Sequence, residues 1–410
     1  MNLFKISRKY LYFKPLSTGL NILLLSFGLA IITMLLLVRD QFETVVSKDA
    51  EGIDLVVGAK GSPLQLILSG VYHVDFPTGN IPIKEAVGLQ RNRLVKAVLP
   101  MALGDNYKGN RIVGTNHDYL DFYEVQYQEG ESWTEAFQVV VGAEVAAKEG
   151  LKVGDSFESS HGISEGSHSH DEHSLVVVGV LEPSGKVIDR LILTSIETVW
   201  YSHDEEGEDG QHNHDHGEVT LNGIPDGDES RELTTLLLQF RNPMAAVQLP
   251  RFINSRTSMQ AASPTFEMAR LFELLGVGIK LLQGLAFALI VIAGLGIFIA
   301  LYNSLKERKY DLAVLRSIGA TRFQLLQLIL IEGITLTWIG ALLGLALGHV
   351  FLFILLKSTD QGLAASIQAW TFLPEELWIL LYATGVGLFA SIIPAVTAYQ
   401  TSIAKQLTKS

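Results

Sequence analysis

Four long apolar runs fix most of what this chain can become. Leu20 to Val38 reads LNILLLSFGLAIITMLLLV and Leu281 to Tyr302 reads LLQGLAFALIVIAGLGIFIALY, both without a charge. A third run lies within Leu326 to Leu356, and a fourth spans Leu377 to Tyr399. The first would rise about 28 Å as a helix, enough to cross a bilayer core. It is long for the apolar stretch of a signal peptide, and Val38-Arg39-Asp40 is no small-residue cleavage site, so it reads as an uncleaved anchor. Lipid offers no partner to a backbone N–H or C=O, so such runs are restricted to helices. The chain is therefore read as a membrane protein with one span, a long polar insertion and three further spans.

Charge orients this layout. Residues 40–272 hold 36 acidic and 17 basic side chains, a net of −19, while the rest of the chain carries +7. The basic residues outside the insertion sit at span ends. Lys5, Arg8, Lys9 and Lys14 precede the first span; Lys306, Arg308, Lys309, Arg316 and Arg322 separate the second from the third; Lys405 and Lys409 follow the fourth. The positive-inside rule places all three segments, and both termini, in the cytoplasm. The acidic insertion then lies outside, and its charge argues against nucleic acid as a partner. Leu3, Ile6, Tyr10 and Phe13 recur at helical spacing and predict an interfacial helix ended by Pro15.

Within the insertion, DLVVGA, FQVVVGA, HSLVVVGVL, RLILTS and TTLLLQF read as short strands. EAVGLQ, GAEVAAKEG and NPMAAVQLPRFINSR read as helices. The fold class is thus an α-helical membrane protein with four transmembrane helices and a large α+β extracytoplasmic domain between helices 1 and 2. In the third span Gly340, Gly344 and Gly348 share one helix face, where small residues let a neighbouring backbone approach. Gly385, Gly387, Ala390 and Pro394 offer similar surface in the fourth. Glu332 is read as facing protein or the interface, and His349 as interfacial.

Histidine is concentrated in the insertion. Eight of the eleven lie between His161 and His216: His161, His168, His170, His173, His203, His212, His214 and His216. Asp171, Glu172, Asp215 and Glu218 lie among them. Imidazole with carboxylate is a ligand set for Zn²⁺, and imidazole also suits other divalent cations. The bland alternative is a pair of solvated polar loops. The chain has no cysteine, which excludes disulfides and thiolate ligands. No HExxH, nucleophile elbow or GxxxxGK[ST] loop occurs, so neither a metalloprotease, a serine hydrolase nor an ATP-binding chain is indicated.

Between spans two and three runs ERKYDLAVLRSIGATRFQ. Leu312, Leu315 and Ile318 (or Gly319) recur at helical spacing and predict a short amphipathic helix, with Gly319 ending it and Thr321 capping the next. This segment resembles the loop of the FtsX/MacB-like (type VII) ABC transporter permeases, of the pattern ERxxEIxxLRxxGAxxxQ. The matching positions are Glu307, Arg308, Leu315, Arg316, Gly319, Ala320 and Gln324, with Asp311 where the family more often has Glu. VVVGAEVAAKEGLKVGDSF and LVVVGVLEPSGKVIDRLILTSIETVW are similar to segments of that family's periplasmic core. DLVVGAKGSPLQLILSGVYHVDFPTGNIP resembles a branch associated with metal homeostasis; His73 within it reads as structural.

The resemblance implies a permease homodimer in membrane lipid, driven by a separate cytoplasmic ABC ATPase dimer. ATP would act only through that partner, and the chain would be no enzyme itself. It implies a coupling role for Glu307, Arg308, Asp311, Leu315, Arg316, Gly319, Ala320 and Gln324, and a second subdomain inserted at roughly residues 100–140. The bacterial inner membrane is the expected location. The expected organisation is an interfacial helix at 1–16, spans at 17–39, 273–302 (with its stalk), 326–356 and 377–399, and an outer domain at 40–272. A coupling loop at 303–325, a short outer loop at 357–376 and a tail at 400–410 complete it. Function is expected in divalent-metal homeostasis, with a periplasmic metal-binding or accessory protein as a further partner. The alternatives are export of lipoprotein, peptide, haem or drug with incidental histidine loops, or a membrane-anchored metal receptor without transport.

Overall fold

The computed structural model describes residues 15–161, 174–204, 219–225, 230–358 and 367–400. The expected interfacial helix at 1–16 lies, but for its last two residues, outside the described residues. The expected tail at 400–410 also lies outside them, but for its first residue.

In chain order the elements are α1 Pro15–Asp49, β1 Leu55–Ala59, α2 Pro63–Gly70, β2 Ile81–Pro82, α3 Ile83–Gln90, β3 Val95–Tyr107 and β4 Asn110–Thr115. There follow α4 His117–Phe122, β5 Tyr127–Gly130, β6 Gln138–Val141, α5 Ala143–Glu149, β7 Ser156–Phe157, β8 Ser160–His161 and β9 Leu175–Leu181. A 3₁₀ turn at Val187–Arg190 leads to β10 Ile192–Ser195, α6 Ile196–Asp204, β11 Glu232–Leu233, β12 Thr235–Phe240, α7 Ala245–Arg256 and β13 Met259–Ala262. Four more helices close the chain: α8 Pro264–Glu307, α9 Lys309–Ser317, α10 Arg322–Lys357 and α11 Glu376–Tyr399.

α1, α8, α10 and α11 are long and apolar enough to cross a membrane. Each contains one of the four apolar runs, and α1 and α8 run well past it into polar turns. A hydrogen-bonded ladder does not stop where the apolar residues stop. The chain divides into a helical unit, reaching to Phe42 and resuming at Leu274, and an α+β unit from Glu43 to Glu273.

The helical unit is held by close backbone approach. A Cβ placed on Gly340 would lie 2.8 Å from Leu25, one on Gly344 2.8 Å from Leu29, and one on Gly348 2.6 Å from Thr33. Those distances are too short for any side chain, so α1 packs against the bare face of α10. Gly333 of α10 and Gly387 of α11 face each other similarly: a Cβ on either would meet the other's carbonyl oxygen at 3.0–3.1 Å. Gly385 has open space around it.

The α+β unit is built on one continuous sheet path, β13-β1-β12-β3-β4-β10-β6-β9-β5, with β7 on β9 and β8 on β3. β3 is the shared member. Its first half pairs with β12 from Val95 to Met101, and from Ala102 onward it pairs with β4, across a register irregularity between Leu103 and Asn106. Two apolar cores follow from this. One gathers Leu55, Val57, Leu236, Leu238, Leu249 and Ile253 around the first half. The other gathers Ile112, Val139, Val141, Val177 and Ile192 around the strands that follow the second half. The inserted lobe therefore continues through β10 at Ser195, well past the expected limit near residue 140. Its strands pair β4 with β10 and β6 with β9 in parallel, so none can be left out of the sheet.

The last turns of α1 are fastened within the α+β unit. Arg190 pairs with Asp49 at 2.7 Å, Tyr72 donates to the Val46 carbonyl at 3.1 Å, and Tyr123 donates to the Asp49 carbonyl at 3.4 Å.

Candidate functional site

The best-defined constellation is the turn between α8 and α10, where the sequence motif lies. α8 ends at Glu307 and Arg308 interrupts it, with φ −102° and ψ 16°. α9 then runs for nine residues and buries Leu312 and Ala313. Leu312 packs with Leu305 of α8, Leu325, Leu328 and Ile329 of α10, and Ala395 and Ala398 of α11. One short helix is thus seated on the ends of three long ones. The structure departs from the expected apolar stripe in one place. Ile318 is 79% exposed, because α9 ends at Ser317 and Ile318 turns outward in the cap.

Both ends of this turn are closed by backbone chemistry. Gly319 N–H donates to the Arg316 carbonyl and Ala320 N–H to the Leu315 carbonyl, each near 3.0–3.1 Å. With Gly319 at φ +109° this is a Schellman motif, which satisfies the carbonyls a helix end leaves open. Two residues on, Thr321 and Gln324 form a reciprocal capping box. Gln324 N–H donates to the Thr321 hydroxyl at 3.2 Å, and Thr321 N–H donates to the Gln324 side-chain oxygen at 2.9 Å. Gly319, Ala320 and Gln324 thus each have a definite geometric task in the turn.

Arg308 has its own partner. Its guanidinium lies 3.6 Å from Glu332, and both side chains are largely withdrawn from solvent, at 13% and 4%. Glu332 sits two to three turns inside α10, so this contact ties the start of α9 to the body of a spanning helix. Sequence reasoning noticed both residues separately and did not join them. They are 24 positions apart, and only the return of the chain along α8 and α10 brings them together. Around them Tyr310, Asp311, Ile318, Arg322 and Phe323 are exposed. The turn therefore presents a mixed apolar and charged surface on a rigid base.

The histidines read as metal ligands are mostly beyond description. His168, His170, His173, His212, His214 and His216 lie outside the described residues. The backbone of His161 is in β8, paired with Asp105 of β3, and His203 falls in α6; their side chains lie outside the described residues. Among the described residues no group of three His, Asp or Glu is placed to hold a metal ion.

Two further buried histidines are described. His73 is 7% exposed at φ +56°, and neither ring nitrogen has a hydrogen-bond partner among the described residues. Burial, with the charges of Arg111 and Arg190, pushes its pKa down to about 3, so the ring is neutral. His349, expected at the interface, is instead 2% exposed, enclosed by Trp370 and Phe372. Sequence gave no sign of this, because the enclosing aromatics come from a segment some twenty residues on.

Comparison with known proteins agrees with this architecture. Residues 18–237 match the MacB-like periplasmic core domain, and residues 284–403 match the FtsX-like permease C-terminal region. The uncharacterized ABC transporter permease YknZ of Bacillus subtilis (strain 168) is 28% identical over 109 residues, 26% of this chain and 25% of that protein. The macrolide export ATP-binding/permease protein MacB of Escherichia coli is 24% identical over 177 residues, 43% of this chain and 25% of that protein. The aligned stretches thus span about a quarter of each relative's length. The crystal structure of the periplasmic region of MacB from Actinobacillus actinomycetemcomitans aligns over 55% of this chain and 97% of its own, at 12% identity and a TM-score of 0.34. With four candidate membrane helices, an α+β insertion after the first, and matches to both characteristic regions, the chain belongs to the family of FtsX/MacB-like ABC transporter permeases.

Proposed function

We propose that this chain is the membrane subunit of an ABC transporter, with the α8–α10 turn and both termini in the cytoplasm and the α+β unit in the periplasm. A separate ATPase pair would bind the turn. The observation that carries this reading is α9 itself. It is closed at its C-terminal end by the Gly319 motif, seated on three membrane helices and tied to α10 through Arg308 and Glu332. Such a helix passes a push to its neighbours with little loss in its own bending. Tyr310, Ile318 and Phe323, 56–79% exposed, are the apolar contacts offered to the partner. Ile318→Asp with Phe323→Asp is expected to abolish co-purification of the cognate ATPase while leaving the thermal unfolding of the permease unchanged. An intact complex would sink the reading.

A second reading concerns cargo, and a specific composition favours it. Eight histidines in two polar runs suit capture of Zn²⁺ or another divalent cation by a weakly selective ligand set. The transporter would then act in metal homeostasis, with a periplasmic metal-binding protein delivering or receiving the ion. Calorimetric titration of the full chain in lipid nanodiscs with zinc tests this. Binding near neutral pH should disappear when the eight histidines are replaced by Asn, and weaken below about pH 6.5 as imidazole protonates. Equal heats from both proteins would leave the runs as solvated loops, and the cargo would be sought among lipoproteins, peptides, haem or drugs.

A further inference from the structure

His349 of α10 is buried between two hydrogen-bond acceptors. Its Nδ1 lies 2.7 Å from the carbonyl oxygen of Ala369, and its Nε2 lies 3.3 Å from Oε2 of Glu376, at the start of α11. A carbonyl oxygen only accepts, so Nδ1 carries a hydrogen. That leaves Nε2 of a neutral ring as a bare acceptor facing a carboxylate. Two acceptors at that distance repel, and neither residue is more than 6% exposed, so bulk water does not separate them. The other carboxylate oxygen, Oε1, already accepts from Leu373 N–H at 3.2 Å. The contact is favourable only when one more proton is present, on the ring as imidazolium or on the carboxyl as acid.

We infer that His349 and Glu376 form a buried proton-binding site, and that the bound proton fastens the segment from Ile367 to Leu373 onto α10. The surroundings support a fastening role. The same segment is stitched to α1 by Gln41, whose side chain donates to the Gln368 carbonyl at 2.9 Å and accepts from Gln368 N–H at 2.7 Å. Ala369 of the segment packs on Leu37 and Leu352, and Trp370 and Phe372 enclose the ring. Glu376 is the only titratable partner the ring has among the described residues. Arg39 and Asp40 on α1, Lys357 on α10 and Glu375 on α11 are all exposed to solvent. The attachment to α1 is uncharged. On α10 the Nδ1–H bond to Ala369 survives in the neutral ring, while the Nε2 contact with Glu376, which also holds Leu373 N–H, turns repulsive without the proton. Loss of the proton would loosen this edge of the strap while Gln41 retains the other.

Two measurements on the full chain in lipid nanodiscs test this, and neither needs the ATPase. The first reads the proton. Ring ¹⁵N NMR near neutral pH, assigned by comparison with His349→Gln, is expected to show an imidazolium. Failing that, infrared spectra should show a protonated carboxyl band that Glu376→Gln removes. A neutral ring together with an ionised Glu376 would overturn the proposal. The second reads the strap. The chain has no native thiol, so Ala369→Cys is its only maleimide target. With Ala369→Cys alone, labelling should be slow. Adding Glu376→Ala should speed it about tenfold, the effect of one lost hydrogen bond. Adding Glu376→Gln should leave it slow, because the amide supplies the N–H that the proton supplied. Equal rates for all three proteins would equally overturn the fastening.

Discussion

His73 shows how one side chain sets a pH limit for the α+β unit. Its ring is neutral in the fold, with a pKa of about 3, while an unfolded chain binds the proton near 6.5. The folded state therefore holds fewer protons than the unfolded state between those values, and stability falls as pH falls through that window. Each unit of acidification within it costs up to about 1.4 kcal/mol. Replacing His73 with Asn, which tolerates the left-handed backbone at φ +56°, is expected to flatten the dependence of the melting temperature between pH 6 and 4. Gly319 makes a different demand. At φ +109° a β-carbon is strained, so Gly319→Val should cost about 1–2 kcal/mol and loosen the cap of α9. Hydrogen exchange at Gly319 and Ala320, the two N–H groups of the motif, checks this; unchanged protection would contradict it.

At the scale of elements, the arguments concern what two helices do to each other. Arg308→Ala removes the cation beside Glu332 and leaves a carboxyl buried alone, a loss of about 3–5 kcal/mol. Glu332→Gln removes the charge with its need for a partner and should cost clearly less. Comparing the two melting temperatures in nanodiscs tests whether the pair holds the turn to α10; equal losses would say it does not. Gly344→Leu should be worse than Gly340→Leu. The close neighbours at Gly344 include the Ser26 carbonyl, at 2.9 Å, which cannot swing aside as the Leu25 side chain beside Gly340 can. The elements themselves were largely legible beforehand. Apolar length marks the four spanning helices, and alternation marks β1, β6, β9, β10 and β12. The β3–β4 hairpin was missed, because Pro100 and the Lys108-Gly109 turn interrupt its pattern. The extent of each spanning helix was also unreadable, since polar residues continue a helix without announcing it.

At the scale of the molecule, charge and apolar length place the chain in a membrane, and the α8–α10 motif places it in its family. The contacts that distinguish this member were not readable. Arg308 with Glu332, Asp49 with Arg190, and His349 with Glu376 join residues 24 to 141 positions apart, with no periodicity to link them. The histidine runs were the plainest local signal, and their test is a binding titration. One consequence follows from β3. Val95, Val98 and Ala102 belong to the first core and Tyr107 packs against the second, while the first half of the strand pairs with β12 and the second with β4. The two lobes are therefore two halves of one fabric with a common thread, in contrast to beads joined by string. Pulling that thread unravels both, so a calorimeter should record a single melting event for the α+β unit, and a cut at the register irregularity after Leu103 should abolish both lobes together.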